Sequence, residues 1–558
     1  MENFKGEGEV FPVATDREVK EGPPGLPRSA DVLIVGCGPV GATMANLLGR
    51  YGVKVVIIDK SVEIFAAPRA IALDNEALRI LQLAGLPEDA FATVAIPYVR
   101  MCSPFFGEFA RAETAGSIDG HPKLVTFYQP DLERALRARL AKYANVWTGL
   151  GVELSDIEDG AEAVNVTMRL ADGQTTTLRA KYVVGADGAN SLVRRLIGRD
   201  FSGNTYPEDW LIVDASKTQK PIDHIEFICD PKRPIPHMIA PGERERWEFM
   251  LHPGEKREDM ERDESIRQLL APWGRIEDMR IERKAVYRFH ARTADSFHKG
   301  RVFLAGDAAH ITPPFVGQGL VAGLRDAANL CWKLAWVVKQ QAAPAILDTY
   351  DMERRPHAKA MIDFARFMGR LVMPRGVLAA VVLHGTVSLS RLIPRFRKYF
   401  SELEIKPKNR FSRGLFVRGR STSKLVRGAP FPQSWVRQSG GTICLSDDAL
   451  GSGFTLVGFG KDVSQHLHEE TMRAWSAAGG QIVQICHRGQ ALHRAGHGQV
   501  WEDLADGFVP GIAPFGWAAV IRPDRVVFDD GPGASVDQMV RECLALMGKS
   551  VSAVPASR

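Results

Sequence analysis

The chain has no Cys-x-x-Cys pair. Its seven cysteines, Cys37, Cys102, Cys229, Cys331, Cys444, Cys486 and Cys543, are far apart and odd in number. That excludes a disulfide framework, a zinc ribbon and a thioredoxin-type redox motif; it fits a reducing cytoplasm, and no metal site is expected. No basic patch is present either. Lys and Arg number 71 against 66 Asp and Glu, mixed along the chain for a net charge of +5. Nucleic-acid binders concentrate their basic residues, so no such partner is expected. Long apolar runs are missing. The most apolar late stretch, Val377–Leu383, is too short to span a bilayer and is bracketed by Pro374, Arg375 and His384, so no stable membrane insertion is expected. The first 29 residues lack the apolar core of a signal peptide and read as a flexible arm. No internal repeat or low-complexity tract occurs.

What is present is an ordinary globular composition, 45% hydrophobic and 25% charged over 558 residues. At roughly 100–200 residues per domain this length predicts about three or four domains. Asp31 to Lys60 reads as strand, turn, helix, strand. Residues 68–100 are partly helical, and Asp131 to Tyr143 is a helix with Leu132, Leu136 and Leu140 on one face. Val146 to Tyr182 alternates as strands with hairpin turns at EDG and ADG. Phe201 to Arg292 reads as a mostly β domain, GRVFLAGDAAH returns to a buried strand, and a long helical stretch runs from about Gly319 to Phe367. An Arg- and Lys-rich linker precedes a small α/β unit.

The turn Gly36-Cys37-Gly38-Pro39-Val40-Gly41 stands between a strand run (DVLIVG) and a helical run, and the next strand ends on Asp59 and Lys60. In such a unit Gly36 makes the tight turn, Gly38 lets the backbone approach a pyrophosphate and Gly41 lets helix and strand pack. Pro39 begins the helix whose N-terminus faces the phosphates, and Asp59 accepts ribose hydroxyls. Strand, helix and distal acid together point to a dinucleotide, without separating NAD from FAD.

Two later segments separate them. One is KYVVGADGANS, containing Asp187 and followed by Val193-Arg194-Arg195. The other is GRVFLAGDAAH, containing Gly306 and Asp307, which continues through Thr312-Pro313-Pro314 to Gly317-Gln318-Gly319. With all three motifs in order, the chain resembles the class A FAD-dependent aromatic hydroxylases over roughly residues 29–370. The segments PRAIALDNEALRILQLAGL and LDTYDMERRPHAKAMID resemble most the 3-(3-hydroxyphenyl)propionate hydroxylase branch. The resemblance implies an α/β protein with a Rossmann-like FAD-binding domain (30–200 and 293–400, the latter with a helical region) and an inserted mostly β substrate domain (201–292). A linker (401–429) and a thioredoxin-like C-terminal domain (430–558) without Cys-x-x-Cys would follow, the last serving packing or oligomer contact, a homodimer among the options. It implies FAD as cofactor, NADH or NADPH as co-substrate, and O2 and a small phenolic aromatic as substrates. A C4a-hydroperoxyflavin would turn a 3-hydroxyphenyl alkanoate into a catechol. Another phenol, a polyketide-type aromatic or a non-catalytic flavin scaffold are the alternatives.

Site residues follow from the same resemblance. Arg69 would lie along the cofactor, or be a surface residue at a helix start; Gln129 would contact FAD, or simply open a helix. Pro314, Gly317, Gln318 and Gly319 would lie near the flavin, and Asp307 would bind its ribitol. A phenol reacts best when a base takes its proton. Asp74 is the first candidate, with helix N-cap as the other reading, Ala77 fitting N3. Tyr287, Arg288 and His290, on one predicted strand leading back to the flavin, are candidates to bind the phenol or a carboxylate, with His290 the second candidate base. Alternation puts Tyr287 and Phe289 on one face and Arg288 and His290 on the other, so not all can point at substrate. His237 and Trp210 are weaker pocket candidates with ordinary packing as the alternative, and His310 reads as structural. A flavin disulfide reductase would need a cysteine pair, and a flavin halogenase a Trp-x-Trp; neither occurs here. An epoxidase or reductase of the same fold would carry membrane anchoring or a more apolar substrate domain.

Overall fold

The computed structural model describes residues 26–65, 70–394, 405–419, 421–490 and 498–550. The apolar run of Ser29–Val35 forms the middle of the first sheet. Val55–Asp59 and Thr175–Gly185 flank it in parallel, with Val146–Leu150 beyond the former and Val302–Leu304 beside the latter. Val32, Leu33 and Ile34 have no exposed surface, as a parallel strand covered on both faces requires. The two hairpin turns join Glu153–Asp159, Val164–Arg169 and Thr175–Gly185 into an antiparallel extension.

The second sheet has eight strands. Phe201–Ser216 lies between Arg280–Ala294 and Arg244–Met250, and Ile235–Ala240 and Ile225–Ile228 continue outward. Two further strands, Tyr98–Ser103 and Gly107–Glu113, complete it from a part of the chain that sequence reading assigned to the first domain, and His310–Ile311 closes the other edge. The sheet is therefore not confined to residues 201–292. One face buries Leu211, Val213, Trp247 and Phe249 under the helix Asp263–Leu270. The other face looks into a cavity.

The long helical stretch is two helices, Gly319–Val338 and Thr349–Val372, separated by a short turn at Pro344–Asp348. The C-terminal unit is a seven-stranded mixed sheet with the helices Glu469–Ala477 and Val536–Leu546. Its core is continuous with that of the first domain. Trp332 and Trp336 meet the Phe454 ring edge-on, with centroids 5.3 and 5.9 Å away, and Trp336 Nε1 donates to Ala478 O. The described part of the expected linker also packs: Leu415 N–H donates to the buried Glu353. Among the described residues no single helix is long and apolar enough to cross a membrane. Most of the N-terminal arm lies outside them.

Candidate active site

A cavity of about 2240 Å³ runs from the first glycine turn, past the loops after Thr175–Gly185 and Val302–Leu304, to the inner face of the second sheet. Small-ligand pockets hold about 300–1,000 Å³, so this one has room for a large cofactor and a second molecule.

The glycine turn divides its tasks. Gly36 has a φ of +106° and its backbone abuts Ala186, where a Cβ would fall 2.4 Å from the carbonyl oxygen. A Cβ on Gly41 would lie 1.9 Å from Gly36 O, so Gly41 is what lets the helix Pro39–Arg50 close on the strand. At Gly38 an added Cβ would meet nothing within 4 Å. Its missing side chain leaves a cradle at the helix N-terminus, where N–H groups favour a phosphate. Asp59 bridges the turn, accepting from Cys37 N–H (2.7 Å) and Ser61 N–H (2.8 Å), and Lys60 beside it is exposed at the rim. Gln129 accepts from Ala70 N–H. Arg69 falls outside the described residues. Sequence reading passed over Arg137, whose guanidinium bonds Cys37 O and Glu133 from a helix on the far side of the turn.

The two later motifs meet at the cavity wall. Asp187 accepts through Oδ2 from Leu192 N–H and Val193 N–H, while its Oδ1 is buried without a hydrogen bond; burial raises its pKa. Arg194 ties the motifs together, donating to Ala189 O and to Ala308 O at 2.8 Å each. Gly306–Ala308 is a short turn that presents Asp307 to the cavity. It is held from behind by Asp326, which accepts from Gly306 N–H (3.0 Å), His310 Nε2 (2.6 Å) and Arg354 Nε (2.9 Å). His310 is thus part of the support, and Asp326 and Arg354 were not foreseen. Pro314–Val316 and the left-handed Gly317 lead into the helix that begins at Gly319. The open space at Gly38 and the unpartnered Asp187 Oδ1 fit a bound dinucleotide.

Asp74 is a helix N-cap. Its Oδ1 accepts from Ala77 N–H (2.9 Å), and its Oδ2 takes Lys406 Nζ (2.6 Å), Arg325 Nη2 (2.9 Å) and Gln318 Nε2 (3.2 Å). Burial would raise its pKa, but the Lys406 and Arg325 charges outweigh it and hold the carboxyl below the usual range. A carboxylate so satisfied is a poor proton acceptor, which favours the cap reading over that of the base. Gln318, with its side chain on Asp74 and Arg325, acts in this network.

On the sheet, Tyr287 and Phe289 share a face with Ile212 and Glu248. Phe289 stacks on Trp210 and meets Phe315 edge-on. Tyr287 Oη accepts from Arg283 (2.7 Å). His290 and Arg288 leave the strand on its other side, toward Thr205 Oγ1 (3.0 Å) and Asp209, and still border the cavity. Trp210 is buried behind Phe289. His237 is buried on the opposite face, stacked on Trp247 between Glu226 and Glu245, and is not part of the cavity.

Residues 29–365 match the family described as FAD binding domain, and residues 428–546 match the HcaD C-terminal domain. The chain is 38% identical over 509 residues to a 3-(3-hydroxy-phenyl)propionate/3-hydroxycinnamic acid hydroxylase of Burkholderia cenocepacia (strain HI2424), covering 89% of this chain and 93% of that one. The protein of the same name from Comamonas testosteroni is 35% identical over 512 residues, covering 83% and 87%. Among solved structures, the flavin-dependent monooxygenase PieE, in complex with FAD and substrate, superposes with a TM-score of 0.76 at 22% identity over 93% of this chain and 99% of that one. Aklavinone-11 hydroxylase, in a ternary complex with FAD and aklavinone, gives 0.71 at 22% identity over 92% and 99%.

Proposed function

This chain belongs to the FAD-dependent aromatic hydroxylases, and we propose that it oxidises a meta-substituted phenol with an acidic side chain, of the 3-(3-hydroxyphenyl)propionate type, to a catechol. The observation that carries this reading is one continuous cavity that joins the Gly38 cradle to an aromatic and apolar sheet face. The named relatives, which cover most of the chain, support the substrate class. FAD, reduced by NADH or NADPH, supplies the electrons that activate O2 and deliver one oxygen atom to the ring. The protein holds and shields. Gly38 admits the pyrophosphate, Asp59 faces the ribose, Asp307 takes the ribityl hydroxyls, and Asp187 Oδ1 offers a further acceptor. The backbone from Pro314 to Gly319 borders the flavin. Phe289, Phe315 and Phe227 form the apolar wall against which the substrate ring lies, excluding water. We also read the first sheet as Rossmann-like and the C-terminal unit as thioredoxin-like. The seven free thiols support a cytoplasmic setting, and the exposed Leu378, Val382 and Leu389 on the helix Val377–Ser390 support a homodimer contact.

The test is phenol-stimulated NAD(P)H oxidation with product mass. A series of phenols should single out 3-hydroxyphenyl alkanoates and give a product one oxygen heavier; no stimulation by any phenol would sink the substrate reading. Asp307→Ala should weaken FAD retention by about ten- to a hundred-fold, since a hydrogen bond to a charged group contributes roughly 1.5–3 kcal/mol. Equilibrium dialysis measures it. Asp74→Asn should keep the cap, because Asn caps as well as Asp. It should lower the melting temperature by removing the charge facing Lys406 and Arg325. The ratio of catechol to NAD(P)H consumed should stay at the wild-type value; a fall in that ratio with flavin retained would return Asp74 to the chemistry.

A further inference from the structure

The cavity face of the second sheet carries a titratable group that no motif marked. In the strand Arg244–Met250, alternation sends Trp247 and Phe249 into the core under the helix Asp263–Leu270, and sends Glu248 the other way. Glu248 pairs across the ladder with Ile212 and lines the cavity beside Pro236 and Phe227. It is 6% exposed, and no hydrogen bond or ion pair among the described residues reaches its carboxylate. An unpaired carboxyl in an apolar wall is costly as an anion unless a ligand completes it.

We infer that Glu248 is the group that takes the proton of the substrate's phenolic hydroxyl. The inference rests on the reading of the substrate as a phenol. In the step, the phenolic O–H bond breaks and an O–H bond forms on a Glu248 oxygen. The electron pair stays on the phenolate oxygen and enriches the ortho carbon that receives the oxygen atom. The ortho carbon forms its C–O bond and gives up its C–H proton to that oxygen as aromaticity returns, which leaves a catecholate monoanion, and Glu248 returns its proton to it. Burial pushes its carboxyl up to about 7, with Asp214 adding to the rise and Arg246 and Arg283 opposing it. A base is most effective when its pKa lies near the working pH. The charged and titratable groups on this face are Arg246 on its own strand, Asp214 on one neighbour, and Arg283 and Tyr287 on the strand beyond. Arg246 and Arg283 both pair with Asp214. On the other side the neighbouring strand presents Pro236 and Met238. Of the three residues that the sequence puts forward, Asp74 is engaged by its cap and ion pairs, Tyr287 accepts from Arg283, and His290, at the cavity wall, bonds Thr205.

The experiment uses the FAD-loaded full chain, 3-(3-hydroxyphenyl)propionate as probe, and Glu248→Gln. Two quantities are read from about pH 5.5 to 9, below the phenol's own pKa of about 10. One is the ultraviolet difference spectrum of the bound phenol, which reports its ionisation without turnover. The other is the rate of catechol formation. In the wild type, hydroxylation should rise with pH through about 7, where Glu248 becomes ionised. In Glu248→Gln that acid limb should vanish and the hydroxylation rate fall by roughly 10²–10⁴-fold. Probe affinity should stay within a few-fold, and NAD(P)H oxidation should continue with diversion to H2O2. An unchanged rate and acid limb in Glu248→Gln would overturn the inference. If Glu248→Gln loses its flavin, Glu248→Asp decides: a lower rate with the acid limb kept supports the role, and a full wild-type rate refutes it. A wild type that no phenol stimulates refutes the substrate reading itself, a different outcome from a stimulated wild type matched by its variant.

Discussion

Arg522→Ala should destabilise the protein by about 3–5 kcal/mol, the cost of breaking a buried ion pair from one side. Arg522 has no exposed surface. Its guanidinium spans Glu353 (2.8 and 2.9 Å) and reaches Asp524 (2.9 Å through Nε). Glu353 also accepts from Lys333 Nζ, Asn329 Nδ2 and Leu415 N–H. The cluster balances two cations, Arg522 and Lys333, against two anions, Glu353 and Asp524. It joins three parts of the chain: the helix Gly319–Val338, the following helix, and the C-terminal unit. Without Arg522 one net negative charge stays buried. Burial alone would raise the Glu353 pKa, but Arg522 and Lys333 outweigh it and hold the carboxyl below its usual range. With the folded pKa depressed, this stabilisation is complete above the unfolded value of about 4.3 and is lost as pH falls below it. Thermal release of flavin fluorescence at neutral pH should therefore move to lower temperature in Arg522→Ala. The gap to wild type should narrow on acidification. Arg522→Met combined with Glu353→Gln should recover part of the loss, because Lys333 and Asp524 then balance. An unchanged release temperature in Arg522→Ala would show that the cluster is solvated and contributes little.

The same cluster shows which parts of this molecule a sequence discloses. The glycine turn was legible because its causes are local: a strand, a φ only glycine tolerates at Gly36, and a helix start within six residues. Asp307 stood out for the same reason, as a motif with its strand attached. The cap at Asp74 was legible too, since an Asp three residues before Ala77 bonds its N–H. Its second oxygen was not, because the partners Arg325 and Lys406 are 251 and 332 residues away. Sheet membership failed for similar reasons. Tyr98–Ser103 joins Ile225–Ile228 in parallel across more than a hundred residues, and such pairing leaves no mark on a short run of alternating residues. Glu248 was invisible in RERWEFM, where polar residues fall on both faces and only the ladder says which face meets the cavity.

Gly38 and Gly41, close in sequence but different in task, should separate cofactor binding from folding. Gly38→Val should fold and lose FAD, while Gly41→Ala should lose the fold. At Gly38 the backbone has a φ of −72°, which any residue adopts, and a new Cβ would meet no protein atom within 4 Å. The added atoms enter only the open cradle where we propose that the pyrophosphate binds. If a steric intrusion into a close contact costs about 1–3 kcal/mol, FAD affinity should fall by roughly five- to over a hundred-fold. The far-ultraviolet circular dichroism of the apoprotein should match the wild type. At Gly41 a Cβ would lie 1.9 Å from Gly36 O, a backbone atom that cannot yield without moving the turn itself. That variant should be poorly soluble or melt early even with excess FAD. Gly38→Val with wild-type FAD affinity would remove the cradle from the cofactor site, and a well-folded Gly41→Ala would mean that the turn relaxes more freely than its packing implies.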